Sequence, residues 1–84
     1  MAKPRSPAHA AYGRALRAYR EEQRLSQERL ALDSGMDRTF VSGIERGERN
    51  PTLGTLLKLV RTLDIPLSQL AARAEGLLRD PPGD

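Results

Sequence analysis

Few side chains here are equipped for covalent chemistry; the set that stands out is a set of hydrogen-bond donors. There is no cysteine and a single histidine, His9, which has no partner at metal-ligand spacing and is expected to have no specific role. No carboxylate set or glycine-rich loop stands at catalytic spacing, so no enzyme activity, metal or cofactor is expected. Arg38, Thr39 and Ser42, by contrast, bring one long forked donor and two hydroxyls close together, and Arg46, Arg49 and Asn50 follow. An arginine fork fits guanine O6 and N7 in the DNA major groove, and a threonine offers thymine a methyl and an acceptor a hydroxyl. Ser42 suits a base or a phosphate. Asp37 is foremost a helix cap, since a carboxylate near DNA is favourable only where it accepts from cytosine N4.

The elements that must position this set lie in Leu25 to Glu45, LSQERLALDSGMDRTFVSGIE. Ser26 is a good N-cap, with Arg29 in place of a capping-box glutamate and Glu28 in the favourable first turn. Leu30 and Ala31 supply an apolar face until Ser34-Gly35 ends the helix. Asp37 then caps a second short helix whose Phe40, Val41 and Ile44 share one face, leaving Arg38, Thr39, Ser42 and Gly43 on the other. Amphipathic helices around a glycine turn occur in any small helical domain. Here the outward face carries short polar side chains and one arginine, without the Glu and Lys of an ordinary solvated surface. A basic cluster follows where the helix would leave a groove. Gly43 costs about 1 kcal/mol of helix propensity relative to Ala, which makes sense if a side chain there would crowd the groove or a partner.

The chain of 84 residues is expected to form one domain with a marginal core, and without cysteine the obvious support is oligomerisation. It holds 14 Lys and Arg against 11 Asp and Glu, a formal charge of +3. Lysine occurs only at Lys3 and Lys58, so the positive charge is mostly guanidinium, whose fork matches phosphate. No apolar run approaches a signal or membrane segment, and a soluble cytoplasmic protein is expected.

Residues 1–9, broken by Pro4 and Pro7 and carrying Lys3 and Arg5, are expected to be a disordered basic tail. The domain proper is expected over residues 10–78. Helix one should run from Ala10 to Gln23 with Tyr12, Leu16 and Tyr19 inward and Arg14, Arg17 and Arg24 outward. Thr52, after Pro51, caps helix four, Leu53 to Leu63. Its stripe is Leu53, Leu56, Leu57, Val60 and Leu63, with Leu59 partly off it. Ser68 is the expected cap of helix five, Gln69 to about Leu77, with Leu70 and Ala74 inward. Ile65, Leu67, Leu77 and Leu78 are candidates for a dimer patch, or else cover the core of one monomer. Residues 79–84, RDPPGD, are expected to be a disordered end.

In ordered combination, these segments resemble the Cro/C1-type, or XRE-like, helix-turn-helix family. The matching residues are Arg20, LSQERLA at Leu25 to Ala31, Gly35, VSGIERGERNPTLGTLLKL at Val41 to Leu59, and LDIPLSQLA at Leu63 to Ala71. The resemblance implies an all-α, compact five-helix lambda-repressor-like domain that binds a pseudo-palindromic operator as a homodimer, with helix three in the major groove. By position it implies that Asp37, Arg38, Thr39, Ser42 and Gly43 occupy the recognition slots and that Gln27 contacts a phosphate while buttressing helix three. It implies that Arg20 and Glu45 lock helix one to helix three, and that Asn50 and its neighbours approach the DNA backbone. Gly43 departs from relatives that read a base there, so more of the reading should fall to Arg38, Thr39 and Ser42. Ser26, Gln27, Gly43, Arg46, Arg49 and Asn50 make up the expected backbone set, although Arg46 can instead pair with Glu48.

The segment DRTFVSGIERGERN is most like restriction–modification controller proteins, small dimers that regulate their own gene and the endonuclease gene. For an activator, RNA polymerase is a further expected partner. A phage-like repressor or an antitoxin-type regulator that binds a partner protein is the alternative. The phage type usually carries an extra effector or cleavage domain, for which 84 residues leave no room.

Overall fold

The computed structural model describes residues 3–80, and among these it contains five helices and no strand. Helix α1 spans Pro7–Glu22, α2 Gln27–Ser34, α3 Arg38–Glu45, α4 Leu53–Thr62 and α5 Leu67–Arg79. The all-α, five-helix expectation holds. Met1, Ala2 and residues 81–84, to which the disordered tail and end were also assigned, lie outside the described residues.

Local chemistry accounts for most boundaries. The Ser26 hydroxyl accepts the Arg29 amide at 3.0 Å, and the Asp37 carboxylate accepts that of Thr39 at 3.2 Å. Thr52 caps α4 through the Thr55 amide at 3.1 Å. Gly35 ends α2 at φ +68°, a conformation glycine adopts without a Cβ penalty. Two starts differ from expectation. Helix α1 begins ahead of Ala10, because Ser6 accepts the His9 amide at 3.2 Å and Pro7 occupies the first turn, where its missing N–H costs nothing. Pro7 therefore opens the helix instead of breaking a tail. Helix α5 begins at Leu67 with Pro66 at the N-cap and no side-chain cap bond, so Ser68 lies inside the helix.

The core is built on Leu16, Leu30, Val41, Leu59, Leu63 and Leu70, all fully buried, with Ala11, Ala15, Ala31, Ile44, Val60 and Ala74 between them. On α4 the inward stripe is Leu56, Leu59, Val60 and Leu63. This corrects the expected placement of Leu59 at the margin and of Leu53 and Leu57 inside, since the latter two are 64% and 42% exposed. The observed four residues still follow helical spacing; the stripe is rotated slightly about the axis. Tyr12 and Tyr19 pack only partly against the core.

Two contacts bring α1 onto its neighbours. At Gly13 a Cβ would lie 2.4 Å from the Ile44 carbonyl oxygen and 2.5 Å from that of Glu45, so only glycine lets α1 approach the α3 backbone this closely. Arg73 of α5 binds the Glu22 carboxylate through two nitrogens at 3.1 and 2.6 Å while lying 4.5 Å over the Tyr19 ring. No described helix is long and apolar enough to cross a membrane.

Candidate nucleic-acid interface

The face that could meet DNA is held from behind by one buried carboxylate. Glu45, at the last position of α3, accepts from Arg20 Nε at 2.7 Å and from its second nitrogen at 3.0 Å, in a bidentate pair. Gln27 at the start of α2 adds a bond to the same carboxylate at 2.9 Å, and Arg20 also donates to the Leu25 carbonyl at 2.7 Å. The bond from Glu45 holds the Arg20 guanidinium above its ordinary range, outweighing the opposite pull of burial. Glu45 thus ties α1, α2 and α3 together, and among the described residues no buried side-chain polar atom lacks a partner. Arg20 is accordingly buried, at 8% exposure.

In front of this support, Arg38 and Thr39 project from the first turn of α3 and are exposed, with Ser42 half-buried one turn on. The Arg38 side chain makes no hydrogen bond or ion pair with the other described residues, leaving its fork free to read a ligand. One oxygen of Asp37 is engaged by the cap it provides. Arg46 donates to both Glu48, at 3.1 Å, and the Ser42 hydroxyl, so its charge is partly answered within the protein. Ser26 is exposed, whereas the Gln27 amide is turned inward to Glu45.

Gly43 does not lie on the outward face. It is buried, and a Cβ built there would be 2.6 Å from Cγ of Arg49. The glycine is explained within the chain: it gives the Arg49 stem a path across α3, so Arg49 and Asn50 emerge beside the recognition helix. Asn50 in turn is met by His9, whose Nε2 lies 2.9 Å from its Oδ1. No local pattern announces that pairing, because the two residues are brought together only by the packing of α1 on the α3–α4 loop.

The apolar residues expected to form a dimer patch fall into two groups. Ile65 and Leu67, both half-buried, line an open hollow with Leu57, Val60, Arg61, Asp64 and Pro66. Leu77 and Leu78 lie about 15 Å further along α5; Leu77 packs partly on the core and Leu78 is 42% exposed.

A short helix buttressed from behind, presenting an unpaired arginine and hydroxyls and flanked by a basic loop, defines a helix-turn-helix DNA-binding domain. The chain belongs to the Cro/C1-type helix-turn-helix family, whose profile matches residues 16–70. It is similar to the control protein C.SmaI of Serratia marcescens, 45% identical over 58 residues that make up 69% of either chain. Among solved structures it resembles the restriction-modification controller protein C.AhdI from Aeromonas hydrophila, with 47% identity, a TM-score of 0.73 and coverage of 74% of this chain and 94% of that one. Wild-type C.Esp1396I, another restriction-modification controller, superposes with a TM-score of 0.82 at 28% identity over 89% of this chain and 99% of its own. The chain spans only 26% and 39% of two longer transcriptional regulators that it also matches. The protein is a DNA-binding transcriptional regulator of this family.

Proposed function

We propose that the protein is a restriction–modification controller that binds a pseudo-palindromic operator as a homodimer and regulates its own gene in the cytoplasm. The observation that carries this reading is the free Arg38 fork beside Thr39 and Ser42, on a helix whose other side is locked by Glu45. Arg38 reads a guanine, Thr39 a thymine methyl or an acceptor, and Ser42 a base or phosphate; Asp37 mainly caps the helix. Ser26, Arg46, Arg49 and Asn50 hold the DNA backbone and set the register, with Gly43 opening the path for Arg49. Gln27, its amide engaged by Glu45, acts on the backbone mainly through the placement of α3.

One domain presents one recognition helix, so a two-fold site requires two copies with their α3 helices about one DNA turn, roughly 34 Å, apart or a multiple of it. The hollow around Leu57, Ile65 and Leu67, extended along α5 to Leu77 and Leu78, is the surface proposed for that pairing. Contact with RNA polymerase would follow from an activator's position on the promoter.

A footprint of the purified protein on the DNA upstream of its gene, across a protein titration, tests the proposal. Two abutting symmetric sites filled in sequence are expected of a controller that switches from activator to repressor. A single symmetric site points to a plain repressor of phage-like type. No protection at any concentration overturns autonomous operator binding and points to a partner-dependent, antitoxin-type regulator.

A further inference from the structure

The segment ahead of α1 is fastened to the loop between α3 and α4. The Arg5 amide donates to the Gly47 carbonyl at 2.8 Å. Gly47, at φ +76°, sits so close to α1 that a Cβ would be 2.9 Å from Ala10 Cα. Beyond these backbone contacts, the side chains form a directional chain. Ser6 Oγ accepts the His9 amide at 3.2 Å and lies 2.6 Å from His9 Nδ1, to which its hydroxyl donates when the ring is neutral and protonated on Nε2. Asn50 Oδ1 can only accept, so His9 Nε2, 2.9 Å away, carries the proton in that bond. The carbonyl end of the Asn50 amide is then occupied by the protein, and its two N–H donors face away from His9. His9 and Asn50 border a cavity of about 160 Å³ with Tyr12, Ile44 and Leu56, and Asn50 itself is exposed, open to a ligand from solvent.

We propose that His9 is a positioning residue for DNA binding: the Ser6–His9–Asn50 chain orients the Asn50 amide so that its NH₂ group is presented to a backbone phosphate. This rests on the reading of Asn50 as a backbone contact. The physical advantage is preorganisation. A free asparagine amide samples both faces and must be ordered on binding, whereas one held by its oxygen presents donors before DNA arrives. The phosphate, an acceptor only, requires a donor. The chain delivers that polarity without placing His9 in contact with DNA, and its effect is independent of base sequence.

The test is a double-mutant cycle on operator and non-specific duplexes, with thermal melting of each variant as the control. Asn50→Ala and His9→Ala should each weaken both duplexes to a similar degree, by about three- to tenfold, the range of one modest hydrogen bond. The double variant should lose no more than Asn50→Ala alone, because His9 acts only through Asn50. His9→Gln, whose amide can donate in place of Nε2, should recover most of the affinity. A purely structural role for His9 predicts a lowered melting temperature with losses that add to those of Asn50→Ala, and that result overturns the proposal. If Asn50→Ala weakens binding and His9→Ala does not, the chain fails while the backbone contact stands. If Asn50→Ala itself costs nothing, both fail.

Discussion

Arg38, in α3, and Arg49, beside it, are both exposed arginines in different settings, and the proposed function gives them different work. Arg38 projects from the first turn, unengaged among the described residues, while the stem of Arg49 crosses Gly43 before its guanidinium reaches solvent. Arg38→Ala should cost about 1–3 kcal/mol per half-site and relax preference at one base pair. Arg49→Ala should weaken all sequences together and reduce the steepness of the salt dependence by about one unit. Titrations against matched and mismatched duplexes at several salt concentrations separate the two, and a sequence-selective loss in Arg49→Ala would remove the distinction. Behind them, Glu45 carries three hydrogen bonds in a buried setting. Glu45→Ala strands the Arg20 guanidinium and should lower stability by about 3–5 kcal/mol, measured by urea unfolding.

Each helix contributes to function through what it is fastened to. Gly13 lets α1 lie against the carbonyls of Ile44 and Glu45, so the recognition helix rests on a rigid partner. On the opposite side of α1, the Glu22–Arg73 pair fastens α5, whose outer surface is proposed for dimerisation. The two bonds from Arg73 hold the exposed Glu22 carboxyl below its ordinary range. A lowered folded-state pKa means that the contribution is present above the ordinary glutamate range and lost as pH falls through the lowered value. Glu22→Gln should therefore melt slightly earlier than the parent at neutral pH, with the gap closing on acidification below about pH 4. The effect should be small because the pair is exposed. Thermal melts across that pH series measure it; a gap that persists or widens in acid would show that the charged pair is not its source.

At the scale of the whole molecule, a net charge of +3 is modest for a DNA-binding chain, so the placement of individual unpaired arginines matters. Several arginines are answered internally: Arg17 by Glu21, Arg29 by Asp33 and Arg46 by Glu48. Arg38 and Arg49 have no ion-pair partner among the described residues, and both stand at the proposed interface. In the proposed dimer, doubling that interface falls to the α4–α5 surface. Leu57, exposed at 42% yet lining the hollow with Ile65 and Leu67, offers a substitution that spares the core. Leu57→Glu should weaken self-association by about tenfold or more and reduce operator affinity while leaving helical content intact. Sedimentation equilibrium with circular dichroism checks this, and undiminished self-association would move the proposed interface elsewhere.

How much was legible beforehand depended on the range of the interactions involved. Ser26, Asp37 and Thr52 declared the starts of α2, α3 and α4, and Gly35 the end of α2, because capping and left-handed turns are local chemistry. The ordered motif from Arg20 to Ala71 determined the family, and with it the Arg20–Glu45 pair. Ser6 before Pro7 is the same local chemistry, an N-cap serine with proline in the first turn, and it opens α1 where Pro7 was expected to break a tail. The face of α4 was undecided: Leu53 and Leu57 are as apolar as Leu59, and burial went to whichever side met α2 and α5. The place of Gly43 beneath Arg49, and the meeting of His9 with Asn50, had no signal in the chain. Sequence determined the elements and the donors they carry, since caps, turns and periodicity act within a few residues. Tertiary structure alone decided the pairings between helices, of Arg20 and Gln27 with Glu45, of Arg73 with Glu22 and of His9 with Asn50, because those partners are distant in the chain and meet only on folding.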